Sequence, residues 1–489
     1  MLSVKKIFLS VIVGLMFLPA VLFSQDGGFR TEKDLLGEKQ IPNDAYYGVQ
    51  TLRALENFQI SGVTTKDYPE LVNAFVLVKL AAIRANYESG ALPKYVLDAV
   101  EKACAEVLAG KYHDQFLVDL YQGGAGTSAN MNVNEVLANI ALEMKKKKKG
   151  DYAYIEPHDH LNMSQSTNDS YPTSLHVAII LMNQKLLPEL EALIASFEKK
   201  GKVFENILKM GRTELQDAVP MTLGQEFNAF ANQLKASIDE LKQAEAHLYV
   251  INMGGTAIGT KLTAQKGFVE NCAKHLAELT GKKIVPATDL IAATSDLSGF
   301  VNYSSALNTL AVRLSKIASD LILLASGPRT ALFEINLPPL QPGSSIMPGK
   351  VNPVLPELVN LVTFRVMGND VAVTIAAKTG QLQLNAYEPL AISAILESQK
   401  LLTNTMKAFK TKCVDGITAN EDVMTKYINQ SVGIVTALNP VLGYEKTTEL
   451  AKEALETGKG ILELIREKKL LTEDQIKELL DPKKMTGQE

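Results

Sequence analysis

The longest regular run of apolar positions along the chain is Tyr303, Leu307, Leu310, Leu314, Ile317, Leu321 and Leu324, in steps of 4, 3, 4, 3, 4 and 3. A repeat of that period lays one apolar seam along a helix that packs in a bundle. Gly327-Pro328 closes the run, since proline offers no N–H to continue a helix. Phe227, Phe230, Leu234, Ile238, Leu241 and Leu248, interleaved with Asp239, Glu240, Lys242 and Gln243, predict a second long amphipathic helix. Stretches near 185–208 and 390–412 look similar, and the helical period holds almost throughout from Thr173 to Lys412. Bundles of such long helices carry seams on several faces, and a homo-oligomer is the simplest symmetric way to bury them.

On either side the pattern changes. Residues 25–166 read as short helices between Gly- and Pro-punctuated turns, 167–422 as the central bundle, and 423–489 as a smaller, more charged helical domain. The first 24 residues are of another kind: Lys5 and Lys6, an apolar run from Ile7 to Phe23, then a polar turn-forming stretch. That is the layout of a secretory signal, with an uncleaved anchor as the competing reading. Cleavage would place the mature chain in the periplasm or outside the cell; without it the chain is cytoplasmic. The five lysines Lys145 to Lys149, followed by Gly150, read as a solvated loop.

Composition narrows the function. A net charge of −4 argues against a nucleic-acid or anionic-membrane surface as the main business of the chain. Beyond the leader no apolar stretch is long and uncharged enough to span a bilayer. Cys104, Cys272 and Cys413 are too scattered for a disulfide framework or a zinc knuckle, and His158 with His160 is no metal site. A small-molecule role fits better.

The unusual chemistry lies in four polar stretches that interrupt the helices: Gly123 to Asn130, Ser164 to Asp169, Gly211 to Asp217, and Gly343 to Pro353. They are rich in hydroxyls and amides, which can surround a small anion with directional hydrogen bonds, while Lys350 or an arginine supplies positive charge. Gly124-Ala125-Gly126-Thr127-Ser128-Ala129 formally fits a dinucleotide fingerprint. We reject it, because the segment from Asn130 to Leu142 is helix-like and leads into the lysine run with no second strand. In the fourth stretch Gly343 and Gly349 predict a mobile loop, and Pro353 and Pro356 the start of a helix.

Gly343-Ser344-Ser345-Ile346-Met347-Pro348-Gly349-Lys350-Val351-Asn352-Pro353 resembles the signature loop of the fumarase/aspartase superfamily, and the other three stretches resemble its remaining active-site segments in the same order. The resemblance runs from about Thr31 to Thr472. Asp217 to Thr222 and Gly380 to Asn385 resemble the aspartase branch, as does Thr127-Ser128 where class II fumarases carry Gly-Thr-Gln. The resemblance implies a mainly α, three-domain fold around a central bundle of long helices, assembled as a homotetramer with each site built from three chains. It further implies reversible loss of ammonia from L-aspartate to give fumarate, with hydration of fumarate or a catalytically altered homologue as alternatives. Ser344 would be the general base, and Thr127, Ser166, Thr167 and Ser345 would hold the β-carboxylate. Lys350 and Asn352 would hold the α-carboxylate, Asn168 and Thr213 would face the amine, and Glu357 would pair near the lysine. Arg53 also matches a family arginine. No cofactor is implied; activation by Mg²⁺ follows by analogy, without an assignable ligand set. Glu214 departs from the family pattern of His or Gln, and is expected to contact the substrate amine.

Overall fold

The computed structural model describes residues 28–486, so the leader at 1–24 lies outside the described residues. An antiparallel hairpin, β1 (Phe29–Asp34) and β2 (Gly37–Pro42), precedes helices α1 (Val49–Asn57), α2 (Pro69–Glu88), α3 (Lys94–Leu108) and α4 (Thr127–Met144). The expectation of short helices in this region is corrected: α2 has 20 residues and α4 has 18. The Gly and Pro punctuation falls in the connections, at Gly90, Pro93, Gly110 and Gly123 to Gly126, and leaves the helices uninterrupted.

Five long helices form the centre: α5 (Thr167–Val203), α6 (Leu223–Ala246), α9 (Ser298–Leu324), α10 (Val354–Lys378) and α11 (Glu388–Lys412). Between α6 and α9 lie α7 (Phe268–Thr280) and α8 (Leu290–Ser295). Side-chain bonds fix the directions. Asn183 of α5 meets Glu245 of α6, Arg313 of α9 pairs with Glu240 of α6, and Ser304 and Ser315 of α9 bond Asp370 and Asn360 of α10. Gln399 of α11 joins the Ile179 carbonyl of α5 to the Tyr303 hydroxyl of α9. Hence α5, α9 and α11 run one way and α6 and α10 the other. All seven positions of the α9 seam are buried.

A hairpin, β3 (Leu208–Thr213) and β4 (Gln216–Thr222), joins α5 to α6. Short helices between Glu421 and Met485 gather a separate apolar core around Ile428, Leu450, Ile461 and Ile465, which also takes in Met210 of β3. Against the expectation that no stretch beyond the leader would qualify, α10 is long and apolar enough by composition to cross a membrane, but one face packs on α9 and α11. Its other face exposes Leu361 (68%), Phe364 (58%), Val371 (59%) and Ile375 (49%), with Gly368 among them. That face repeats in steps of 3 and 4, the spacing of a seam with no partner among the described residues.

Candidate active site

Two of the four polar stretches meet at the N-terminal end of α5. Ser166 is the N-cap: its hydroxyl accepts from the Asn168 N–H at 3.2 Å, and Asp169 accepts in return from the Ser166 N–H at 3.0 Å. This reciprocal pairing satisfies donors that a helix start leaves free. Asp169 also takes the Gly254 and Thr256 N–H groups, while Asn168 donates to the Ala257 carbonyl at 2.7 Å, so the turn is docked from both sides. α4 reaches the same place because Gly126, at φ 87°, lets it begin against the Tyr171 ring, where an added Cβ would stand 2.4 Å from ring carbons. Thr127, the first residue of α4, is exposed; Thr167, at the start of α5, is buried and accepts from the Asn130 amide at 3.3 Å.

The other two stretches lie at the opposite end. Thr213 ends β3, and Glu214 and Leu215 form the two-residue turn to β4 with φ of 53° and 63°. That conformation costs an ordinary side chain roughly 1 kcal/mol or more. The hairpin is held from behind by a buried carboxylate, Glu334, which accepts from Arg212 at 2.6 Å and lies 2.8 Å from the Lys209 ammonium. Ten residues further on, the Ser344 hydroxyl accepts from the Ile346 and Met347 N–H groups at 3.2 and 3.0 Å. Asn352 donates to the Gly343 carbonyl, and the Gly343 N–H donates to the Lys350 carbonyl, pinching the loop shut at its base. Gly343 allows this close approach, since a Cβ there would lie 2.8 Å from the Lys350 oxygen. Ser345, Lys350 and Glu357 are exposed, and among the described residues Lys350 and Glu357 form no ion pair with each other.

One chain therefore divides the expected site. Thr127, Ser166, Thr167 and Asn168 lie at one end of α5; Thr213, Glu214, Ser344, Ser345, Lys350, Asn352 and Glu357 lie at the other. With 37 residues, α5 is about 55 Å long at 1.5 Å a residue. Arg53 belongs to neither group: it clasps Asp34 through two hydrogen bonds of 2.7 Å and fastens α1 to the first hairpin. A cavity of about 580 Å³ beside that hairpin, lined by residues including Lys33, Gln50, Glu135 and His158, contains none of the expected site residues. Among the described residues no group of three His, Cys, Asp or Glu side chains gathers as metal ligands.

The profile of a family described as Lyase matches residues 37–368, and one described as Fumarase C C-terminus matches 434–487. The chain belongs to the fumarase/aspartase superfamily. It is 53% identical to an aspartate ammonia-lyase of Pseudomonas aeruginosa, over 93% of this chain and 96% of that one. To an aspartate ammonia-lyase of Bacillus subtilis it is 47% identical, over 94% and 96%. Among solved structures, a fumarate lyase:delta crystallin from Brucella melitensis bound to cobalt superposes with a TM-score of 0.90 at 48% identity, over 93% of this chain and 98% of that one. A class II fumarase from Schistosoma mansoni superposes with a TM-score of 0.86 at 35% identity, over 94% and 99%. The long helical bundle expected from the apolar seams is thus the fold of the superfamily.

Sequence reasoning passed over what lies behind the superfamily's polar turns. Lys79 of α2 is wholly buried and donates to the side-chain oxygens of Asn130, Asn162 and Gln165 at 2.7, 3.1 and 2.8 Å. Burial pushes its ammonium below the usual lysine range, with the nearby Asp169 carboxylate opposing; burial likewise pushes Asp169 up, against the N–H groups it accepts and the lysine. The available signal was a single cation in the apolar run from Ala74 to Ile83.

Proposed function

We propose that the chain is an aspartate ammonia-lyase, converting L-aspartate reversibly to fumarate and ammonia. What carries this reading is the nearness of the ammonia-lyases, 47–53% identical over at least 92% of the chain, against 35% for the fumarase. The Ser344 oxygen, as alkoxide, takes the proton from Cβ. The electron pair moves into the adjacent carboxylate, which becomes a doubly negative aci-carboxylate; it then forms the Cα–Cβ double bond as the amine leaves from Cα. Charge is the difficulty, and preplaced donors meet it: Thr127, Ser166, Thr167 and Ser345 face the β-carboxylate. Lys350 and Asn352 hold the α-carboxylate, Asn168 and Thr213 face the amine, and Glu357 lies near the lysine. The two N–H groups already on the Ser344 oxygen support its role, since donors of this kind favour an oxyanion. No step requires a cofactor or an activating Mg²⁺. Following fumarate by its ultraviolet absorbance tests the reading. Release from aspartate but not malate is expected; release from malate alone overturns it.

In this reading Glu214 contacts the substrate ammonium. A close opposite charge at a wet site is worth about 1 kcal/mol or more, so Glu214→Gln should raise KM for aspartate about fivefold or more. An unchanged KM and pH profile would remove the contact.

The active particle is a homotetramer in which one chain's Thr127–Thr167 end meets the Ser344 and Thr213 ends of neighbours. The bare α10 seam supports this, because each buried Leu, Phe, Val or Ile contributes about 1.5–3 kcal/mol. Phe364→Asp should split the particle in light scattering, leave the helical circular dichroism in place, and abolish turnover. A tetramer that persists with normal activity would show that the seam is not the contact. The leader supports export, which would supply fumarate outside the cytoplasm; activity confined to the cytosol after fractionation would exclude it.

A further inference from the structure

We propose that Lys79 is a positioning residue for the elimination: it fixes the Asn130 amide so that the Thr167 hydroxyl can only donate to the substrate carboxylate. The assignment rests on the functional reading above, which places that carboxylate at Thr127, Ser166 and Thr167.

An ammonium has three donors and no acceptor, and Lys79 uses all three on neutral amide oxygens, those of Asn130, Asn162 and Gln165. Among the described residues it makes no ion pair. The carboxylate whose charge acts on it, Asp169, is engaged by the Ser166, Gly254 and Thr256 N–H groups. Taking an ammonium out of water is expensive, and an apolar side chain would fill the same space at lower cost. For packing alone, a lysine is a poor choice here.

What the charge does provide is direction. An asparagine amide can turn over and exchange its oxygen for its nitrogen. Facing a group that only donates, Asn130 must turn its oxygen to Lys79, where the Ser170 hydroxyl also donates to it at 3.0 Å. Its nitrogen is then forced the other way, to Asn162 at 3.1 Å and to the Thr167 oxygen at 3.3 Å. A hydroxyl that accepts from an amide nitrogen keeps its own proton for another acceptor. Without the lysine the amide could reverse, and Thr167 would donate to Asn130 and be lost to the substrate. The buried positive charge also lies three hydrogen bonds behind the carboxylate, through Asn130 and Thr167, on the side where the extra negative charge develops.

The test compares kcat and KM for aspartate in the full-length assembly for Lys79→Met, Asn130→Asp, Thr167→Val and the double variant Asn130→Asp/Thr167→Val. Asn130→Asp keeps an oxygen for Lys79, so the fold survives even where Lys79→Met does not, yet it presents Thr167 with an acceptor in place of a donor. Removal of one such donor typically lowers turnover about 10²-fold, so kcat should fall by that factor in each single variant, with KM changing far less. The double variant should be no slower than Thr167→Val alone, because both changes remove the same contact. If Asn130→Asp, folded and tetrameric, keeps wild-type kcat, or if the two effects multiply, the assignment is wrong while the functional reading stands. If the wild-type protein releases no fumarate from aspartate, the functional reading falls and the assignment with it.

Discussion

Replacing Ser344 with alanine is expected to lower turnover of aspartate by about 10³-fold or more while leaving KM within a few fold. The factor follows from what is removed. The substrate keeps its anchors, since Thr127, Ser166, Thr167, Lys350 and Asn352 are untouched, and ground-state binding changes little. The proton on Cβ loses its acceptor, and a general base contributes typically 10² to 10⁴ in rate. The loop itself should persist. Gly343 and Lys350 close its base through their backbone, and Asn352 bonds the Gly343 carbonyl, so none of these contacts needs the serine hydroxyl. The Ile346 and Met347 N–H groups left without their acceptor are exposed and can turn to water. Initial rates over a range of aspartate concentrations check it. An alanine variant within tenfold of wild type would mean that another group takes the proton.

Two inactive chains are expected to make an active mixture. Ser344→Ala and Thr167→Val damage groups at opposite ends of α5, about 55 Å apart. In the tetramer proposed above, those groups come from different chains at a shared centre. Co-expressed with different affinity tags, the two variants should assemble at random, and about a quarter of the centres would then draw both an intact Thr167 and an intact Ser344. Recovered turnover should approach that fraction of wild type, although each variant alone is nearly dead. A mixed assembly, shown to carry both tags and still inactive, would mean that each centre takes both groups from one chain.

The bundle was legible because its chemistry is local. On α9 every position of the 4-3-4-3 seam is an apolar residue facing the core, and all are buried. α10 hid its inner face for the opposite reason: Leu361, Phe364, Val371 and Ile375 face outward, so apolar residues occur all round the helix and no single stripe stands out. The early region was underestimated because its glycines and prolines were read as breaks throughout, whereas they fall between helices of 20, 15 and 18 residues. The polar stretches could be picked out by composition, but their placement at two ends of one helix depends on chain direction, which no motif records. Lys79 lay furthest from view, because its meaning depends on Asn130, Asn162 and Gln165, which reach it from 51 to 86 positions away.

The span of α5 acts as a ruler. Deleting one residue from its middle would shorten it by about 1.5 Å and rotate everything beyond by about 100°. In the proposed tetramer, Thr213 and Glu214 would then miss their counterparts in an adjacent copy. Insertions and deletions should therefore accumulate in turns such as Leu35–Leu36, whose side chains are exposed, and be purged from the middle of the rods. In the proposed tetramer, helix length is set by a reaction occurring some 30 Å from the residues at the middle of the rod, at roughly twenty steps of 1.5 Å.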